Sequence, residues 1–415
     1  MRTQPAFAAH KPFWNNFNGQ SSWYSLALAF GFLLGLMAAA PTTQGQTFSV
    51  LYSFPAEVVG YRPDSLIRDA AGNLYGTTYY GGAKSSEGVV FKVDTSGKET
   101  VLYRFTGPDG NGPDGVVGDA AGNLYGATSF GGSGCPDQNG CGTVFKLDAN
   151  GNETVLHRFG SSRGDGTFPT AGVVRDASGN LYGTTYTGGV LTLCEVGCGT
   201  VFKVDASGNE TVLHRFTGGP DGAGPYGGVI QDAAGNLYGT TQARTVFKLA
   251  ASGKFTVLHT LNEAEGCYPS ASLFRDAAGN LYGTTSGCGE FGGGTVFKVE
   301  PSGQTTVLYN FTGGTDGGSP SGPVVQDKAG NLYGSTGFGG DLTSLCAEVN
   351  NTPGCGVVFK IDTAGHYTVL HAFNGLDGQW SYYGVIQDPE GNLYGTTAQG
   401  GVPTCFCGVV FKVTP

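Results

Sequence analysis

Seven copies of one phrase constrain this chain more than any other feature of it. DAAGNLYGTT at 69–78 returns as DAAGNLYGAT, DASGNLYGTT, DAAGNLYGTT, DAAGNLYGTT, DKAGNLYGST and DPEGNLYGTT, with Asn73, Asn123, Asn180, Asn236, Asn280, Asn331 and Asn392 in register. VFK plus an aliphatic residue keeps step at Phe91, Phe145, Phe202, Phe247, Phe297, Phe359 and Phe411. VLxxF or VLxxL does so from 50–54 to 369–373, and an apolar pair such as Leu66-Ile67 precedes each DxxGN. Each unit of 44 to 61 residues therefore holds four short β-branched and aromatic runs, with no helical periodicity. That pattern predicts an all-β chain, a propeller of four-stranded blades. In chain order the strands are A (the apolar pair), B (NLYGTT), C (VFK) and D (VLxxF).

The two ends complete the count. The repeat region begins on a D strand, SVLYSF, and the chain finishes on a C strand, VVFKV. Pairing 49–54 with 409–413 would close a seventh blade and remove the exposed sheet edges of an open array. One seven-bladed domain over 47–415 is expected, without a linker. In DPEGN, Asp388, Pro389 and Gly391 hold the positions that a type I turn favours, so Asp69 and its equivalents read as turn residues. The C–D turn is built alike, as DTSG, DANG or DASG.

Loop lengths separate two faces. From the Phe of VFK to the end of VLxxF the interval is fourteen residues in all six uninterrupted units, as from Phe91 to Phe105. From the Asn of NLYG to that Phe it varies between 11 and 28. The B–C and D–A loops share one face of a meander, and such a variable face is where function is carried.

The unit DxxGNLYGTT…GG…GTVFKxDxxG…TVLxxF resembles the GloVer-type tandem repeat of exported bacterial proteins and, more loosely, the NHL-type propeller repeat. The resemblance covers residues 48 to 415 and implies a secreted or surface propeller. It implies no agreed reaction and carries over no catalytic residue. Blade four departs by lacking GG after NLYGTT, and blade seven has Ser381 where the other units have a proline before strand A.

Residues 1–46 read as a signal peptide or, alternatively, an uncleaved signal anchor: Arg2 and Lys11 precede the apolar run Ser25 to Ala40, and no acidic residue lies among them. The chain is expected to be exported, whether secreted, periplasmic or on the cell surface. Net charge is −10, which disfavours nucleic acid and anionic membranes, and no membrane contact is expected beyond the N-terminal segment. Glycine, at 74 residues, has no three-residue period, which excludes collagen and points to tight turns. The chain is expected to act as a monomer.

All ten cysteines fall in B–C or D–A loops, as an exported disulfide framework would place them. Cys135 pairs naturally with Cys141, Cys194 with Cys198, Cys267 with Cys288, and Cys346 with Cys355. Cys405 and Cys407 are one residue apart, so a bridge between them would close a tight ring, and a different pairing stays open. CxxC spacing is missing and no histidine lies in these loops, which argues against zinc there. His157, His214, His259 and His371 sit on strand D. The variable face therefore offers no histidine base for a Ser–His or Cys–His pair.

Carboxylates remain. Asp109, Asp165, Asp221, Glu265, Asp316 and Asp377 each precede a glycine, four residues before the strand A proline or Ser381. They suit D–A turns; they would also form a rim for sugar hydroxyls or for a hard cation such as calcium. No pair stands out as a glycosidase couple. Face aromatics outside the repeat positions are Tyr79, Tyr80, Phe130, Tyr186, Tyr226, Tyr268, Phe291, Phe338, Trp380, Tyr382 and Tyr383, densest at Trp380, Tyr382 and Tyr383. Packing within loops is their plain role; stacking on sugar rings is the functional one. The sequence thus favours a module that binds carbohydrate or a surface protein. The alternatives are a polysaccharide-degrading enzyme using carboxylates and an adhesive surface protein without a small ligand.

Overall fold

The computed structural model describes residues 46–415 apart from 56–58, 83–86, 134, 136–138, 161–163, 191–193, 195, 343–345, 347–352 and 403–404. The signal-segment expectation lies outside these residues. Seven antiparallel four-stranded sheets form a ring, each a meander in the order A-B-C-D. Blade one comprises Tyr61–Arg68, Leu74–Tyr80, Val89–Val93 and Glu99–Arg104. Blades two to six span 111–158, 174–215, 230–260, 274–310, 325–372, and blade seven 385–414. Thr47–Ser53 adds the outer strand of blade seven, pairing Thr47 with Thr414 and Val50 with Phe411, so the ring is closed. A two-stranded ribbon, Gly166–Thr167 with Thr187–Gly188, sits on the loop side of blade three. Among the described residues there is no helix, and hence none long and apolar enough to cross a membrane.

The repeated phrase explains itself in three contacts. Asp69 accepts from the backbone N–H of Asn73 at 2.8 Å, the Asn73 side chain at 2.7 Å and the Tyr75 hydroxyl at 3.1 Å. Gly72 closes the turn onto the Asp69 carbonyl at φ +91°, a conformation that costs glycine least. Gly76 lies under the Phe91 ring, where a Cβ would come within 2.8 Å of Cζ, so glycine is required by the approach. The Thr or Ser that follows latches five blades to the next. Thr184, Thr240, Thr284 and Ser335 donate to Gly227, Pro269, Gly322 and Ser381 carbonyls, and Thr396 closes the ring onto Asp64.

The core lies between blades. The last aromatic of VLxxF stands edge-on to the VFK ring of the next blade: Phe105 on Phe145 at 5.0 Å, Phe159 on Phe202 at 4.9 Å, and Phe54 on Phe91 at 5.2 Å. These rings are fully buried. Each stabilises by about 1.5–3 kcal/mol through burial, plus ~1 kcal/mol from ring geometry. The lysine after each VFK phenylalanine lies over the strand B tyrosine in five blades, as Lys92 does over Tyr75 at 5.5 Å.

Candidate functional site

The mouth of the ring is built from one strained position repeated seven times. The residue before the strand A proline (before Ser381 in blade seven) has positive φ in every blade: Arg62, Gly112, Phe168, Gly224, Tyr268, Ser319 and Trp380, between +54° and +64°. Five of the seven are not glycine, and such strain persists only where the surroundings enforce it. Here the enforcement is visible. The N–H of Arg62, Phe168, Gly224 and Trp380 donates to the carbonyl of Cys407, Cys141, Cys198 and Cys355 in the preceding blade. All five disulfides are formed, and among the described residues no cysteine is free. Cys405 pairs with Cys407, which resolves the pairing the sequence left open. At these four places the staples therefore fix the loop end that sets the pre-proline residue.

One position beyond the proline, or beyond Ser381, Asp64, Thr170, Tyr226, Ser270, Ser321 and Tyr382 line a cavity of about 440 Å³ shared by the segments that lead into or begin strand A in six blades. Arg62, Gln242 and Tyr383 complete its polar lining. A second cavity of about 430 Å³ opens between blades seven and one, lined by Tyr61, Arg62, Tyr80, Trp380, Tyr382 and Phe406. Arg62 and Tyr382 belong to both. The Arg62 guanidinium lies 5.2 Å from the Tyr79 ring centre, Tyr61 stacks on Tyr80 at 5.2 Å, and Tyr186 donates to Gln242 at 3.0 Å.

Asp64 and Asp114, the post-proline residues of blades one and two, approach within hydrogen-bonding reach of each other. Asp64 is 1% exposed, and its Oδ1 accepts from Ser65 N–H at 2.6 Å. Its Oδ2 finds no donor except the neighbouring carboxyl. Burial pushes both carboxyls up, and the charge of Asp64 pushes Asp114 well above the usual range while Arg62 only partly offsets it. Two such groups resist ionising together. Burial also raises the hydroxyls of Tyr79 and Tyr382 to about 12, and that of Tyr383 well above its ordinary value. They are hydrogen-bond donors at neutral pH.

The six acids that the sequence places in D–A turns do not include this pair. The signal was there: Arg62-Pro63-Asp64 and Gly112-Pro113-Asp114 have one residue fewer than the other units between proline and apolar pair. The structure answers that deletion with eight-residue A strands carrying a bulge, against two or three residues elsewhere. The six loop acids face other groups. Asp109 accepts from Tyr103 and Thr106, Asp316 from Tyr309 and Thr312. Asp221, Glu265 and Asp377 pair with His214, His259 and His371 at 3.2, 2.9 and 3.0 Å. Asp165 accepts from Gly166 N–H and lies 3.5 Å from His157. This corrects the expectation that the variable face has no histidine within reach: the end of strand D brings the imidazole to the D–A turn. Of the aromatic candidates, Tyr226, Trp380, Tyr382 and Tyr383 all line one or both cavities. Tyr226 is 40% exposed, and Tyr268 and Phe291 project further, at 58% and 56%.

The Gloeobacter/Verrucomicrobia repeat matches two overlapping stretches, residues 39–244 and 194–344. No curated protein sequence matches the chain. Among solved structures, the extracellular domain of BT4673 from B. thetaiotaomicron is 13% identical with a TM-score of 0.54, over 88% of this chain and 39% of that one. The chain thus spans well under half of that neighbour, and the likeness concerns the fold. A gluconolactonase from Xanthomonas campestris is 14% identical over 69% of this chain and 85% of that one, with a TM-score of 0.43. A luciferin-regenerating enzyme is 13% identical over 89% and 96%, also at 0.43.

Proposed function

Since the chain belongs to the Gloeobacter/Verrucomicrobia repeat family, we propose that it is an exported binding module that takes carbohydrate at the mouth of its ring. Five disulfides support an oxidising compartment, whether secreted, periplasmic or at the cell surface. The observation that carries the reading is the pair of cavities joined through Arg62 and Tyr382. Trp380, Tyr61, Tyr80 and Tyr382 offer apolar ring faces for the C–H surface of a sugar. Gln242, Arg62, the tyrosine hydroxyls and the Asp64–Asp114 pair offer donors and acceptors for its hydroxyls. Burial and mutual repulsion disfavour a second negative charge on the carboxyl pair, and Arg62 acts on both carboxyls, so an uncharged ligand suits the mouth.

Binding fits this geometry better than hydrolysis does. Glycosidase carboxyls stand about 5 Å or more apart, with the scissile bond between them. Asp64 and Asp114 lie close enough for each to shift the other's carboxyl, which leaves no room for a sugar between them. The test is a glycan array probed with the disulfide-intact chain from Thr47 onward, calcium present, beside a variant carrying Trp380→Ala and Tyr382→Ala. Selective binding by the parent, lost in a variant of unchanged melting temperature, is the expected result. A blank array, or binding that the variant retains, would move the reading to a protein partner or an adhesive role.

A further inference from the structure

The outer strands carry a second set of ligating groups, remote from Asp64 and Asp114 in the chain. The residue that opens strand D of one blade lies over the fifth residue of strand D of the blade before it. At three of the seven places the two pack as rings: Phe255 stacks on His214 at 3.9 Å, Tyr367 on Tyr309 at 4.0 Å and Phe48 on His371 at 3.6 Å; Glu99, Glu153 and Glu210 hold the covering place at three others. Between blades two and three the covering residue is Glu210, and beneath it lie His157 and Asp165. One ligand atom from each of the three lies within 4.8 Å of the others.

His157 and Asp165 differ from their equivalents in what they lack, and Glu210, whose Oε1 is unpartnered as in Glu99 and Glu153, is the one such glutamate that lies over a histidine. His214, His259 and His371 close onto their acids at 2.9–3.2 Å, whereas His157 Nε2 stands 3.5 Å from Asp165 Oδ2. His157 Nε2, Asp165 Oδ2 and Glu210 Oε1 are all buried atoms without a hydrogen-bond partner. The Asp165 side chain is 2% exposed, and only its other oxygen is satisfied, by Gly166 N–H at 2.7 Å. Arg215, whose charge acts on Glu210, spends its Nε–H on the Gly164 carbonyl at 2.9 Å. Burying unpaired carboxylates is costly, and buried charges are paired or coordinate metals.

We propose that His157, Asp165 and Glu210 bind a first-row divalent cation such as zinc or manganese, pinning blade three to blade two. An imidazole selects such ions over calcium, and three protein ligands leave room for water on the metal. Bonds of about 2.0–2.2 Å require the ligand atoms to draw in by roughly an ångström, within reach of the Glu210 side chain. Coordination needs a neutral imidazole and ionised carboxylates, so affinity rises with pH and uptake releases protons.

The test uses untagged, disulfide-intact protein stripped with chelator and titrated with zinc, manganese and calcium by calorimetry. Cobalt spectra would report imidazole and carboxylate ligation. The expected result is one equivalent of zinc or manganese, with calcium at least tenfold weaker and a higher melting temperature when loaded. Glu210→Gln and His157→Phe should each weaken binding at least tenfold. Glu153→Gln, at the equivalent place over Tyr103, should leave it unchanged and controls for folding. Substoichiometric uptake, or equal affinity in Glu210→Gln and the parent, would overturn the proposal.

Discussion

Asp64 and Asp69 lie five residues apart on one edge of one blade, yet they are opposite kinds of carboxylate. Asp69 collects backbone, amide and phenol donors, and although burial opposes it, those bonds hold its carboxyl below the ordinary range. Asp64 is nearly dry, has one backbone donor and shares its other side with a second acid, so its carboxyl is raised. The first kind occurs seven times and the second twice. Repetition in this chain marks what every blade needs to stand; departure from the repeat marks what one place on the ring does.

Perturbing the repeated side should cost stability and spare ligand binding. The largest effect is expected for Phe145→Ala, which empties the ring contact with Phe105 and should destabilise by about 4 kcal/mol in denaturant unfolding. Asp119→Ala removes an acceptor that binds Asn123 and Tyr125, and should cost about 2 kcal/mol. Its pH signature is specific. Asp119 is lowered to about 2, its hydrogen bonds outweighing burial, so its contribution is present above about 4, the unfolded value, and vanishes as pH falls towards 2.

The mouth should behave with the opposite sign. Asp114 is raised in the folded state, so it opposes folding increasingly as pH climbs above about 4 and through its folded value. Asp114→Asn should therefore gain on the order of 1 kcal/mol at neutral pH, and that gain should disappear near pH 4. The same variant should alter ligand binding, which Phe145→Ala and Asp119→Ala should not. The smallest effect belongs to the scaffold again: Lys146→Met loses the contact over Tyr125, worth about 0.5 kcal/mol at such a site.

Fold and turn were legible in the sequence because they depend on neighbours in the chain. DxxGNLY carries its own donors and acceptor, and the constant interval from Phe91 to Phe105 fixes the outer hairpin. The site was legible in part. Trp380, Tyr382 and Tyr383 announced themselves by crowding, but Asp64 and Asp114 meet only because two adjacent blades place equivalent residues side by side across the ring. Keeping the units in register on Asn73 hid the one-residue shortening that blades one and two share. The histidines were misjudged for a related reason: His157 is on strand D in sequence, but a long side chain at a strand end reaches the next loop.

Carboxyl ¹³C titration of aspartate-labelled protein, comparing the parent with Asp114→Asn, tests the contrast directly. One aspartate resonance should titrate far above the ordinary value of about 3.9 and vanish from that range in the variant, while the turn aspartates titrate below it. If every aspartate of the parent titrates at or below about 3.9, Asp64 and Asp114 do not resist ionising together and the account of the mouth is wrong.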